Sequence, residues 1–164
     1  MSARSAEAPG IDHRAANDAS RERMRTAIGR IGGDGLRREV PGGWTAAALL
    51  AHLGFWDRLT LARWKQRLGS GPPLMTLDDR LADVLNDAGL PAWRALEPEE
   101  AVRQALEAAE AVDALVAGLP GALVSEAHAQ GASRLVDRSL HRGEHLAQLE
   151  RPIGSPAEGG MADR

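Results

Sequence analysis

Aliphatic residues recur at three- and four-residue spacing along most of this sequence, and clusters of glycine and proline interrupt that pattern at only a few places. This period lines up apolar side chains on one face of a helix, whereas a half-buried strand needs strict alternation. β-Branched residues are scarce, so an all-α fold is expected. Aromatic residues are 3% of the chain, as Trp44, Phe55, Trp56, Trp64 and Trp93, so leucine, alanine and valine must build the core. A length of 164 residues suits one domain with a full core and is short for two.

The interruptions define the elements. Asp12 to Ile31 reads as a polar helix with Met24, Ile28 and Ile31 on one side, stopped by Gly32-Gly33-Asp34-Gly35. Val40-Pro41-Gly42-Gly43 makes a second turn. Thr45 then caps the longest helix, Ala46 to Leu68, in which Leu49, Leu53, Trp56, Thr60 and Trp64 follow helical spacing. The stretch from Gly69 to Pro73 breaks it. The less regular segment Leu74 to Ala95 is expected to hold a short helix from Asp78 to Asn86 and a break at Gly89-Leu90-Pro91. Pro98, flanked by Glu97, Glu99 and Glu100, starts a third long helix, because proline fits the first turn and acids favour its positive end. Its stripe is Val102, Leu106, Ala109, Val112 and Val116, and Gly118-Leu119-Pro120 ends it. Residues 121–131 read as loop, and a fourth long helix is expected from Ala132 to Glu150, closed by Pro152. The sum is a four-helix bundle over residues 12–153 with a long crossover between helices 2 and 3, and disordered tails at 1–11 and 154–164.

A formal net charge of −3 and a pI near 6.0 provide no basic field for a nucleic-acid backbone, so nucleic acid is not an expected partner. The absence of cysteine excludes disulfides, thiolate ligands and a cysteine nucleophile, and any thiol chemistry must use a thiol from outside. The N-terminal segment lacks the apolar core of a signal peptide, and the longest apolar run, Ala46 to Ala51, is too short to span a bilayer. A cytoplasmic protein acting on a small molecule is expected, with no membrane partner.

Metal-binding chemistry is concentrated in Ser139-Leu140-His141-Arg142-Gly143-Glu144-His145-Leu146-Ala147-Gln148. Histidines four apart on a helix share a face, about 5–6 Å apart at Cβ, and can share one divalent metal. Alone, the pair fits a solvated face better than a metal site. The candidate third ligand is His52, on the apolar face of the second helix between Leu49 and Trp56; alone, it reads as a buried histidine bonded to a neighbour. Together, an inward histidine on one helix and a pair on another can meet at one end of a bundle, and three imidazoles with positions left open suit a catalytic metal. A helical wheel places His141 and His145 with Arg134, Asp137, Arg138 and Gln148, on a polar margin open to a substrate. Asp137 is spaced either to accept the second ring N–H of a ligating His141 or to pair with Arg134 or Arg138. Arg138 either holds a substrate carboxylate or is solvated, and Trp56 is either an apolar wall beside the metal or plain core. His13 and His128 have no partner at ligand spacing and are expected on the surface or in loops.

Gly43-Trp44-Thr45, then Ala51-His52-Leu53 and Trp56-Asp57, with the distant His141-x3-His145-x2-Gln148, resemble the DinB-like superfamily of metal-binding four-helix bundles. The resemblance runs over roughly Asp12 to Ile153. The superfamily includes the N-terminal domain of mycothiol-dependent maleylpyruvate isomerase and bacillithiol transferases. The resemblance implies a divalent metal, zinc or nickel, held by His52, His141 and His145, and a homodimer. It also implies a low-molecular-weight thiol of the mycothiol type, bound as thiolate and delivered to an electrophile. The isomerase carries a second, C-terminal domain that this sequence lacks, so isomerase activity is not expected. Three functions stay open at this point: a thiol S-transferase in detoxification, a hydrolase using hydroxide as nucleophile, and a stress-related protein that binds a small molecule without turnover.

Overall fold

Six helices succeed one another in the computed structural model, which describes residues 12–69, 71 and 73–151. They are α1 (His13–Gly35), α2 (Ala46–Leu68), α3 (Asp79–Ala95), α4 (Pro98–Ala117), α5 (Gly121–Ala129) and α6 (Ser139–Glu150). The expectations for the tails fall outside the described residues. Among those residues the only strands are β1 (Glu39–Val40) and β2 (Trp44–Thr45), an antiparallel pair in which Val40 faces Trp44. The turn between them runs through Gly42 at φ 100° and Gly43 at φ 76°, a left-handed path that glycine follows without strain. The chain is thus all-α apart from this hairpin, which fixes Trp44 at the entrance to α2. No single helix among the described residues is long and apolar enough to cross a membrane.

α2 is the central element. It starts where expected because the Thr45 hydroxyl accepts the Ala48 N–H at 3.1 Å. Thirteen of its 23 residues are buried, since it packs on α4, α3 and α6. The seam with α4 is made of small residues: a Cβ on Gly54 would sit 3.2 Å from the backbone of Ala105. α1 packs on α4 and α6. One buried cluster gathers Met24, Leu50, Leu53, Trp93, Ala105 and Leu146, and a second gathers Trp64, Val112, Val116 and Val136. Burial of each leucine in these clusters contributes about 1.5–3 kcal/mol.

Three sequence expectations are corrected. α3 does not break at Gly89-Leu90-Pro91 but continues to Ala95. Gly89 is there for Trp93, one turn on: a Cβ at residue 89 would lie 2.3 Å from the Trp93 indole, which is buried in the first cluster. That packing offsets the roughly 3 kcal/mol that proline costs inside a helix. Residues 121–129 are helix rather than loop, because Leu123, Val124 and Ala127 close the second cluster. The last helix starts at Ser139 and not at Ala132; a 3₁₀ turn (Ser133–Leu135) precedes it. The cause lies in α1: buried Asn17 takes the N–H groups of Arg138 and Ser139 on Oδ1, at 2.7 and 3.1 Å, and donates to the Val136 carbonyl at 3.0 Å. Trp64 also binds the Leu135 carbonyl, at 2.8 Å. These bonds hold residues 135–138 off the helical path.

Candidate metal centre

α2 and α6 run antiparallel where they touch, so His52 faces His141 and His145 while Asp57, further along α2, meets Arg138. Nε2 of His52 lies 3.3 Å from Nε2 of His141 and 3.1 Å from Nε2 of His145. One nitrogen from each of the three rings lies within 4.8 Å of the others. A tetrahedral ion with bonds of about 2.0–2.1 Å spaces its ligand nitrogens about 3.3–3.4 Å apart. One N–H can serve one such nitrogen pair; the remaining approach sets lone pair against lone pair, which a cation at the centre relieves. The group could hold a divalent metal.

The surroundings set the charge and tautomer of these rings. Nδ1 of His145 lies 3.3 Å from Oε1 of Gln148; a carbonyl oxygen requires the proton on Nδ1, so the Nε2 lone pair of His145 faces the other two rings. Nδ1 of His52 and of His141 are buried without a hydrogen-bond partner. Burial pushes His52 down to about 3, aided by the charge His145 can carry. His141 is lowered by burial first and then by Arg138. His145 is lowered by burial, against which the Gln148 bond and the Glu144 charge act. At neutral pH all three are the uncharged ligands that a metal requires.

Tryptophan walls the site. His52 packs edge-on against Trp44 and Trp93, with ring centroids 5.2 and 5.1 Å away, and Trp56 stands 6.2 Å from His52 and 6.1 Å from His141. Trp56 is held by a 3.0 Å bond from its indole N–H to Asn86 of α3. Beyond the three imidazoles a cavity of about 930 Å³ extends, lined also by Thr60, Arg63, Arg138 and Leu140.

Beneath the histidines lies a buried ionic network. Asp57, fully buried, accepts from Nε of Arg138 at 2.8 Å and Nε of Arg142 at 3.0 Å. Arg142 forks onto Asp113 with two bonds of 2.9 Å, and Arg21 reaches the same carboxylate at 2.6 Å. The Asp57 and Asp113 charges hold the Arg142 guanidinium above its ordinary range although burial opposes them. α6 is therefore buried along Arg142, Leu146 and Leu149, while His141, His145 and Gln148, half-buried, line the cavity.

Of the sequence candidates, His52, His141, His145 and Trp56 come together around the cavity. Arg138 lines it too but is 3% exposed and paired with Asp57, and so is not a solvated arginine. Asp137 reaches neither a histidine nor Arg134 or Arg138; its Oδ1 takes the N–H and hydroxyl of Ser139, at 3.0 and 2.5 Å, and caps α6. Arg134 pairs instead with Glu144 at 2.6 Å. His13 is half-buried and His128 is exposed, bonded to Ser133. The sequence reading passed over Gln148 as a histidine partner and the whole Asp57–Arg142–Asp113 network. A signal for the network was present: Arg142 stands in register with Leu146 and Leu149, and Asp113 with Ala109 and Val116, each a charge on an apolar stripe.

Comparison with curated proteins and with solved structures returned no match. Comparison with protein families matched the DinB superfamily over residues 16–149, a span that holds α2, α6 and all three histidines. The chain therefore belongs to the DinB superfamily.

Proposed function

We propose that this protein is a cytoplasmic metal-dependent S-transferase, built as a four-helix bundle of α1, α2, α4 and α6 with α3 in a long crossover, that delivers a low-molecular-weight thiol of the mycothiol type to a small electrophile. The observation that carries the reading is the convergence of three neutral imidazoles on the wall of a large cavity. His52, His141 and His145 hold the ion; an all-nitrogen set suits zinc best, with nickel the alternative. A metal held there would lower the pKa of a bound thiol toward neutrality and so supply a nucleophile. The remaining work falls to the chain. Gln148 fixes the His145 tautomer, Trp44 and Trp93 hold the His52 ring and exclude water, and Trp56, tethered by Asn86, gives an electrophile an apolar face to lie on.

A metal lowers the pKa of bound water as well as of a bound thiol, and what favours the thiol is the want of a carboxylate to hold and turn a water. Asp79 alone supplies a carboxylate to the cavity lining among the described residues, and none of the three histidines is hydrogen-bonded to a carboxylate among them. A thiol is acidic enough to need none once a metal is bound. With no cysteine in the chain, that thiol is a cosubstrate. The test is turnover of a model electrophile by protein purified without chelator. Conversion that needs both the metal and an added thiol, and is lost in His52→Ala, is the expected result; conversion without thiol would make the protein a hydrolase, and ligand binding without conversion would make it a binding protein.

A further inference from the structure

The cavity that holds the histidines also holds two arginines whose charge the protein leaves only partly answered. Arg63 of α2 is 8% exposed, yet it has no carboxylate partner among the described residues, and its Nε is buried with no hydrogen-bond partner. Arg138 spends Nε on Asp57 and Nη1 on the Arg134 carbonyl at 2.5 Å, which leaves its buried Nη2 without a partner. Both side chains line the cavity. Asp57 offers no surplus, because Arg142 shares it, and Asp113 is taken by Arg142 and Arg21. Three buried guanidiniums, Arg63, Arg138 and Arg142, together with Arg21, thus stand against Asp57 and Asp113, while the third buried carboxylate, Asp137, bonds only Ser139. A buried charge is normally paired, so an excess cation that faces a cavity calls for an anion from outside.

We infer that Arg63 and Arg138 form an oxyanion-binding subsite in the histidine cavity, which takes a carboxylate or phosphate group of a small-molecule ligand. Guanidinium donors are charge-assisted, and here they come from two different side chains on the cavity wall, the arrangement that grips an anion between two cations. The strain of the unanswered pair shows on Arg63, whose guanidinium is lowered from its ordinary range by burial and then by Arg138. The position also constrains the ligand. Arg138 precedes His141 by one helical turn, and Arg63 follows His52 by eleven residues, about 16 Å along the axis, with a side chain that reaches back toward the start of α2. The anionic group therefore sits several bonds from the atom that meets the histidines. That the ligand is a substrate rests on the proposed function; the anion site does not.

The test titrates succinate and, separately, inorganic phosphate into the full chain by calorimetry, as purified and after chelator treatment, for the native sequence, Arg63→Met and Arg63→Lys. Arg63 is the position to vary because it bears no ion pair whose loss would unfold the protein. The expected result is saturable binding of one of the two anions in both metal states, weakened at least about tenfold in Arg63→Met and partly recovered in Arg63→Lys, with the Tm of Arg63→Met equal to or above that of the native chain. The tighter of the two anions identifies the group. Absence of binding by either, equal affinity in Arg63→Met, or a loss that Arg63→Lys does not relieve overturns the subsite. Anion binding in a protein that takes up no metal would sink the metal reading alone; metal uptake with anion affinity untouched at Arg63 would sink the subsite alone.

Discussion

Each side chain around the histidines has a separable job, and single substitutions tell the jobs apart. His52→Ala removes one of three ligands, so its metal affinity should fall at least about a hundredfold while helix content stays unchanged; a metal-to-protein ratio that stays at one in competition with a chelator would show the three nitrogens are not ligands. Gln148→Leu keeps all three ligands and frees the Nδ1 proton of His145, so it should weaken the metal by the roughly 10- to 100-fold typical of an outer hydrogen-bond partner. Asp57→Asn acts on stability instead. It leaves Arg138 and Arg142, both buried, facing a neutral amide, and it should cost about 3–5 kcal/mol in urea denaturation. A loss under about 1 kcal/mol would mean that the network is screened by water.

The elements divide by where their boundaries are written. α2 and α4 were legible because their signals are local: Thr45 caps one, Pro98 opens the other, and each carries a long apolar stripe. The break of α1 at Gly32, where φ is 68°, was legible for the same reason. α3, α5 and the start of α6 were not, because partners far away in the chain decide them. Gly89 and Pro91 read as a stop until Trp93 is seen to fill the space that Gly89 leaves, and residues 132–138 read as helix until Asn17 is seen to claim their backbone. The histidine triad was legible only as a spacing on two helices; the antiparallel fit of α2 on α6 that closes it depends on the same distant contacts. Two predictions belong here. Asn17→Ala strips the partner from the Val136 carbonyl and the Arg138 N–H and leaves the Ser139 N–H to Asp137 alone, at the head of the helix that carries His141 and His145, so it should lower stability by about 2–4 kcal/mol and loosen the metal as well. Gly54→Val drives two methyl groups into the backbone of Ala105 and should cost about 1–3 kcal/mol with little change at the histidines, a difference read by comparing Tm with metal affinity in the two variants.

For the molecule as a whole, the histidine centre ties stability to pH and to metal in one linkage. In the folded, metal-stripped chain His52, His141 and His145 all titrate below the ordinary 6.5, mainly because they are buried. Above pH 6.5 neither folded nor unfolded chains protonate them, and they leave stability unchanged. As pH falls below 6.5 the unfolded chain takes up protons that the folded chain refuses, so stability drops by about 1.4 kcal/mol per pH unit for each histidine until the folded group itself titrates. Set against a total of about 5–15 kcal/mol, these losses start acid unfolding below 6.5. Carboxylates act lower on the scale: Glu150, held below its usual range by Arg23, loses its contribution only once pH falls through that lowered value. The upper part of the transition therefore belongs to the histidines. A bound metal adds about 2.7 kcal/mol at a hundred times its Kd, and its ligands cannot be protonated while it stays bound. Urea midpoints measured from pH 8 to 4.5 should thus coincide in shape above 6.5, and below it the chelator-treated protein should fall away first. Parallel curves for the metal-loaded and metal-stripped protein through that window would mean that the three imidazoles do not share an ion, whatever else the cavity binds.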